Sequence, residues 1–302
     1  MKIAIVGATG FVGSRLIEQL QAQGDKVLIL TRNPGKATSR FPQAEVIGYN
    51  PLKSGEWQKS ISGCDAVVNL AGEPIAEKRW TPAQKKIILE SRQLGTQKIV
   101  EAINQAEVKP KVLINASAIG YYGTSETAKY DETSPPGTDF LAEVCTAWET
   151  AAQAVKTSDT RLVILRFGID LGENGGALGK MLTPFSAFVG GPIGSGKQWF
   201  SWIHRDDVVK LIVSSIVNPK IEGVYNATAP NPVTMQDFAQ TLGSVMNRPS
   251  WLPVPDFALE ALLGEGAIVV LQGQQVVPTQ TLAEGFKFQY PTLQPALAAI
   301  LG

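Results

Sequence analysis

The 302-residue chain has only two cysteines, Cys64 and Cys145, and a single histidine, His204. Two cysteines cannot build a disulfide framework, which points to a reducing compartment. No His/Cys/Asp/Glu cluster has the spacing of a metal site, so no metal is expected. Excess charge is missing too: 27 basic and 27 acidic residues give a formal net charge of zero. That balance lacks the electrostatic footprint of a nucleic-acid or membrane-surface binder. No apolar run reaches the ~18 residues needed to span a bilayer. No secretory signal peptide is expected ahead of Lys2, because a strand pattern begins at once. The expectation is a cytoplasmic protein with no nucleic-acid and no membrane partner. What is ample is apolar content, 44%, enough for one large α/β domain and a small appendage.

The opening residues carry the strongest positive signal. An apolar run, Ile3 to Val6, leads into Gly7-Ala8-Thr9-Gly10-Phe11-Val12-Gly13 and then an amphipathic pattern of Phe11, Leu16, Ile17 and Leu20. A second apolar run, Val27 to Leu30, ends in Thr31-Arg32. This reads as strand, glycine turn, helix, strand. Gly7 lets the chain leave the strand sharply, at positive φ. Gly10 lets backbone N–H groups approach a pyrophosphate, and Gly13 lets the helix pack close. The pyrophosphate then sits at the helix N-terminus, where free N–H groups and the helix dipole favour negative charge. The spacing is GxxGxxG rather than GxGxxG, so the flanking strands and helix supply the specificity that the triplet lacks. Gly7, Thr9, Gly10, Phe11 and Val12 are the cofactor-binding candidates here.

The end of the second strand bears on cofactor type. An acid there would bind a ribose 2′-OH, as for NAD; a basic residue accommodates the 2′-phosphate of NADP. The chain has Thr31-Arg32-Asn33-Pro34, with Lys36 close behind. Arg32 presents a planar fork of donors suited to phosphate. Thr31 and Arg32 therefore predict NADP(H), against the alternative of a surface arginine with no ligand.

Strand and helix patterns then alternate, which predicts a parallel sheet of βαβ units. Strands are expected at 44–48, 66–70, 111–116, 162–166 and 224–227. Helices are expected at 82–105, 140–155, 206–218 and 234–246, the last capped by Thr234 with Asp237 three residues on. Dense glycine and proline from Gly168 to Gly196 predict loops of a binding lobe, and proline-punctuated helices follow Trp251. The expected architecture is a Rossmann-type, doubly wound parallel sheet over 1–248, with loops 168–203 feeding a smaller substrate lobe and a small helical C-terminal domain over 249–302. Gly191 to Lys197 imitates a Walker A loop, but Gln198 replaces the Mg²⁺-holding Ser/Thr and no strand leads in, which argues against ATP binding.

GATGFVG, VVNLAGE (Val67 to Glu73) and SWIHRDD (Ser201 to Asp207) resemble the extended short-chain dehydrogenase/reductase superfamily. Arg79 to Thr96, Gly172 to Phe185, Gly190 to His204 and the tail from Leu252 resemble one atypical branch, the epimerase-family proteins, some of which are labelled cell division inhibitors. The resemblance implies NADP(H) binding and a substrate lobe from the C-terminal half. It places Leu70, Ala71 and Gly72 along the adenosine side and points Arg92 into the site as a phosphate or substrate anchor. It sets Ile169 at the nicotinamide end. The partners it leaves are an unknown small-molecule substrate, a second copy in a homodimer, or a cell-division protein.

The superfamily's catalytic pattern breaks in this chain. A tyrosine acts as acid and base there, with its pKa lowered by a lysine four residues on. Aligned from Glu149, Leu141 stands at the tyrosine position and Cys145 at the lysine position. Ser117, where the superfamily's serine is expected, and Tyr122, before Gly123, are the catalytic candidates, beside strand-end and packing roles for each. His204 precedes Arg205-Asp206-Asp207 at a helix start, which favours a structural hydrogen bond. Three readings stay open: another group replaces the pair, hydride transfer draws protons from water, or the cofactor is bound without turnover. The functions in view are accordingly an NADP(H)-dependent oxidoreductase or epimerase-like enzyme and a non-catalytic NADP(H)-binding regulator or scaffold.

Overall fold

The computed structural model describes residues 1–155, 159–173 and 175–302. Asn174, inside the Gly172–Phe185 motif, lies outside the described residues. Seven strands form the central sheet: β1 (Lys2–Val6), β2 (Lys26–Thr31), β3 (Glu45–Gly48), β4 (Ala66–Asn69), β5 (Val112–Ala118), β6 (Arg161–Phe167) and β7 (Gly223–Ala227). Their order is β7-β6-β5-β4-β1-β2-β3 and every pairing is parallel. The chain order reverses between β1 and β4, which opens a crevice at the carboxyl ends of those strands.

Side-chain alternation explains why the sheet is covered on both faces. Ile3, Ile5, Val27 and Ile29 join a core with Leu16, Ile17 and Leu20 of α1 (Phe11–Ala22). Their neighbours Ala4, Val6, Leu28 and Leu30 join another with Ile99, Val100 and Ile103. Those three lie on a long helix, Pro82–Gln105. Strands buried on both sides read as continuous apolar runs, as these do. The sequence-derived strand and helix bounds agree with the structure to within about two residues, the usual latitude at element ends.

Two helices escape the sequence patterns. α2 (Pro34–Arg40) forms where the sequence reading assigned no element, with Pro34 in its first turn and the Asn33 side chain accepting from the Lys36 N–H at 3.2 Å. The long helix is α3, and α4 spans Phe140–Gln153. α5 (Gly176–Ser186) lies inside the stretch expected to be loop. Its buried Leu178 and Phe185 and half-buried Met181 and Leu182 make a helical stripe, masked in the sequence by Gly176, Gly179 and Pro184. A short strand, Ile169–Leu171, also pairs there with Trp202–His204.

α6 (Arg205–Val217) and α7 (Met235–Met246) follow, α7 with the expected Thr234–Asp237 capping box. The C-terminal helix, Leu293–Leu301, brings Leu293, Ala296, Leu297 and Ile300 into one apolar cluster with Phe238, Leu242, Phe185 and Trp202. The tail is thereby packed onto the second half of the chain.

Candidate functional site

The glycine turn forms a tight cradle. Gly7 has φ +81°, and a Cβ there would stand 2.8 Å from the Leu70 carbonyl carbon at the end of β4. A Cβ on Gly13 would stand 2.4 Å from the Gly7 oxygen, so Gly13 closes the helix onto the turn itself. The Gly10 N–H donates to Gly7 O at 3.0 Å. α1 begins at Phe11 with no side-chain cap, so the first-turn N–H groups at Phe11 and Val12 meet no capping oxygen. An uncapped helix N-terminus on a cradle that any Cβ would fill suits a diphosphate.

Basic groups flank it. Arg32 is exposed at the carboxyl end of β2, and Thr31 Oγ1 accepts from the Asn33 N–H at 3.2 Å. Arg40 was not singled out from the sequence: α2 carries it back so that Nη1 donates to Thr9 O at 3.2 Å. Only the unforeseen helix makes that return. Thr9, Gly10, Phe11 and Arg40 border a cleft of about 650 Å³ with Gly172, Glu173 and Arg205. Phe11 is its floor, with Arg205 4.8 Å above the ring. Gly172, Gly175 and Gly176 close over the same ring, where a Cβ would come within 2.9, 2.6 and 3.2 Å.

Beyond β4, Leu70, Ala71 and Gly72 lead to Arg92 on α3. A Cβ on Gly72 would stand 2.8 Å from Arg92 Cζ. Arg92 Nη1 donates to Glu73 O at 3.0 Å and Ile88 O at 3.1 Å. Its guanidinium lies 5.1 Å from the Trp148 ring centroid. Burial pulls its pKa down, and among the described residues no carboxylate forms an ion pair with it.

A second pocket of about 170 Å³ opens beside Arg92 and brings it together with Leu141, Cys145 and Ile169. α4 therefore aims the two replaced positions, Leu141 and Cys145, into the space where the tyrosine and lysine would act. Burial pushes the Cys145 thiol up to about 12, reinforced by Glu149, so it stays protonated and uncharged. The far wall is Trp199 and the segment Ile268–Gln274. Gly172, Gly175 and Gly176, expected to shape this lobe, instead cover Phe11 in the other cleft.

Ser117 and Tyr122 do not line either space. Both are 2% exposed and belong to a buried network. Ser117 Oγ donates to Glu149 Oε1 at 2.6 Å, and Arg166 Nε and Nη2 grip the two Glu149 oxygens at 2.8 Å each. Arg166 Nη1 donates to Tyr122 Oη at 3.0 Å, and Tyr122 Oη donates to Asn226 Oδ1 at 2.7 Å. Burial pushes the Tyr122 phenol up to about 12, the opposite of what an acid–base tyrosine needs. This placement speaks against the expected catalytic role of both hydroxyls. His204 is the cap of α6: its Nδ1 accepts from the Asp206 N–H at 3.0 Å and its ring lies 4.0 Å from that of Tyr290.

Residues 3–227 match the NAD dependent epimerase/dehydratase family. The chain belongs to that family. Residues 254–300 match a domain of unknown function, DUF1731. The chain is 52% identical to the chloroplastic epimerase family protein SDR39U1 homolog of Arabidopsis thaliana, over all of this chain and 87% of that protein. It is 38% identical to the human epimerase family protein SDR39U1, over the whole of both. The crystal structure of human SDR39U1 (isoform 2) with NADPH superposes with a TM-score of 0.91 over 99% of each chain. The UDP-glucuronic acid 4-epimerase of Bacillus cereus, in complex with UDP-glucuronic acid and NAD, shares the fold at TM-score 0.80 and 18% identity, over 99% of this chain and 98% of that one. Family, parallel-sheet fold and C-terminal domain match the resemblance read from the motifs. No helix among the described residues is long and apolar enough to cross a membrane.

Proposed function

We propose that this protein binds NADP(H) and uses it as an oxidoreductase on a small molecule held in the pocket beside Arg92. Gly7, Gly10 and Gly13 keep the diphosphate cradle open, and the Phe11 and Val12 N–H groups face it. Arg32 holds the 2′-phosphate, with Arg40 bracing Thr9 beside it. Leu70, Ala71 and Gly72 border the adenosine side, Ile169 the nicotinamide end, and Arg92 serves as a phosphate or substrate anchor at the pocket. When bound, NADPH supplies a hydride to a carbonyl carbon. The balancing proton reaches the oxygen from water, since Leu141 and Cys145 replace the usual pair. Ser117 and Tyr122 hold the sheet end rigid through Glu149 and Arg166. The observation that carries this reading is the mostly apolar pocket that Arg92 and Ile169 line together with the replaced positions Leu141 and Cys145; a protein that only bound the cofactor would need no such pocket there. The human relative crystallised with NADPH supports the cofactor assignment. Two buried free cysteines suit a reducing compartment such as the cytoplasm.

Two measurements test it. Arg32→Ala should weaken NADPH binding roughly tenfold, the loss of one charge-assisted hydrogen bond of about 1.5 kcal/mol, and leave NADH binding unchanged. Equal loss of both overturns the 2′-phosphate assignment. NADPH oxidation is then followed with a panel of carbonyl compounds. Silence across the panel with NADPH bound favours a non-catalytic NADP(H)-binding regulator, the reading that Leu141 and Cys145 in the pocket wall support.

A further inference from the structure

The pocket beside Arg92 differs chemically from a site for a sugar or a nucleotide. Leu141, Val144 and Trp148 of α4 form one wall, and Ile169, Ile268 and Val269 close it from the other side. Most of its polar side chains are already engaged with protein; the exception is the Trp148 Nε1–H, buried without a hydrogen-bond partner, which leaves one donor for a single carbonyl oxygen. Thr124 Oγ1 donates to Gln272 Oε1 at 2.7 Å, and Gln274 Nε2 donates to Ile119 O at 2.8 Å. Asp139 Oδ1 accepts from the Ala142 N–H at 2.9 Å as the cap of α4. Arg92 is turned toward Gly72, its Nη1 held by two carbonyls and its plane set against Trp148. A hexose carries many hydroxyls, and each one left without a partner against these apolar walls costs about 1–3 kcal/mol. Size points the same way. The pocket's 170 Å³ is close to the roughly 150 Å³ of an apolar cavity that takes benzene.

We propose that this pocket selects a small, uncharged, ring-sized apolar carbonyl compound and rejects nucleotide sugars. The selectivity comes from α4 and from the Ile268–Gln274 segment, where the C-terminal domain meets the first. Val269, a β-branched side chain on that segment, is the specificity-determining position most open to a test. The proposal rests on the oxidoreductase reading for its carbonyl but not for its size and polarity.

The test is calorimetric titration of the full chain, with and without saturating NADPH. The probes are 2-cyclohexen-1-one, cyclohexanone and benzaldehyde, against UDP-glucose. The expected result is saturable binding of at least one ring compound, at least tenfold tighter than UDP-glucose. Val269→Trp, which fills the chamber, should weaken the ring compound at least tenfold and leave NADPH affinity within twofold. Val269→Ala keeps the chamber open and should retain binding, which controls for misfolding. UDP-glucose binding as tightly as the ring compounds overturns the proposal. So does the absence of ring-compound binding to a protein that binds NADPH. If NADPH fails to bind while the ring compounds do, the pocket assignment stands and the cofactor reading falls.

Discussion

Arg166 and Glu149 show what a single buried pair does beneath the site. Their side chains are 4% and 5% exposed and share two 2.8 Å contacts. Burial opposes the Arg166 charge, but hydrogen bonds and attraction from Glu149 outweigh it and raise its pKa. Removing one partner leaves the other charge buried and alone. Glu149→Ala should therefore cost about 3–5 kcal/mol in urea unfolding, whereas Ser117→Ala, which removes one neutral donor, should cost about 1 kcal/mol. Asp170 offers a pH test. Its Oδ1 is buried with no hydrogen-bond partner, and burial pushes its pKa up to about 7. An unfolded Asp ionises near 3.9, so between these values the folded chain binds the proton more tightly. The stability owed to this group is full below about pH 4 and falls as pH rises to about 7. Asp170→Asn should match the native chain near pH 4 and exceed it at pH 8, by roughly 2–4 kcal/mol in denaturant unfolding. Equal stability at pH 8 would show that the carboxyl is not strained there.

At the scale of elements, α1 is defined by what it lacks. Its N-terminus has no capping side chain, a cost that a bound diphosphate removes. Gly13→Ala puts a methyl 2.4 Å from Gly7 O. The helix must then lift off the turn, at about 1–3 kcal/mol of overpacking. NADPH affinity should fall with it, in a calorimetric titration where Thr234→Ala, at a distant cap, changes only stability. This cradle was legible in the sequence because Gly7, Gly13 and β1 are neighbours along the chain. α2 and α5 were not. Asn33-Pro34 begins a helix as readily as a turn, and Gly176, Gly179 and Pro184 hide an apolar stripe that burial against Phe238 and Leu242 makes helical. Arg40 was missed with α2, since its approach to Thr9 needs that helix.

The whole molecule closes through its tail. Leu297 is fully buried in the cluster that joins α5, α7 and the C-terminal helix, and Gly264–Leu271 carries residues that wall the pocket. Leu297→Ala should cost about 2–5 kcal/mol in thermal or urea unfolding. If the tail serves the pocket through packing, that variant should also loosen ring-compound binding while NADPH affinity holds. Of the loop residues 168–203, Gly168, Ile169 and Trp199 line the pocket, while Gly172, Gly175 and Gly176 lie on Phe11.

The sequence by itself determined the parallel sheet, the glycine cradle, the basic residue at the end of β2, and the loss of the tyrosine–lysine pair at Leu141 and Cys145. Each follows from backbone sterics or side-chain chemistry within a short stretch of chain. Only the tertiary structure decided that Ser117 and Tyr122 belong to an ion-pair network, that Arg40 returns to Thr9, and that Ile268 and Val269 face α4. Those outcomes depend on groups up to about a hundred or more residues apart, such as Tyr122 and Asn226, being brought together by burial, which acts on area and shape and leaves no local spacing to read.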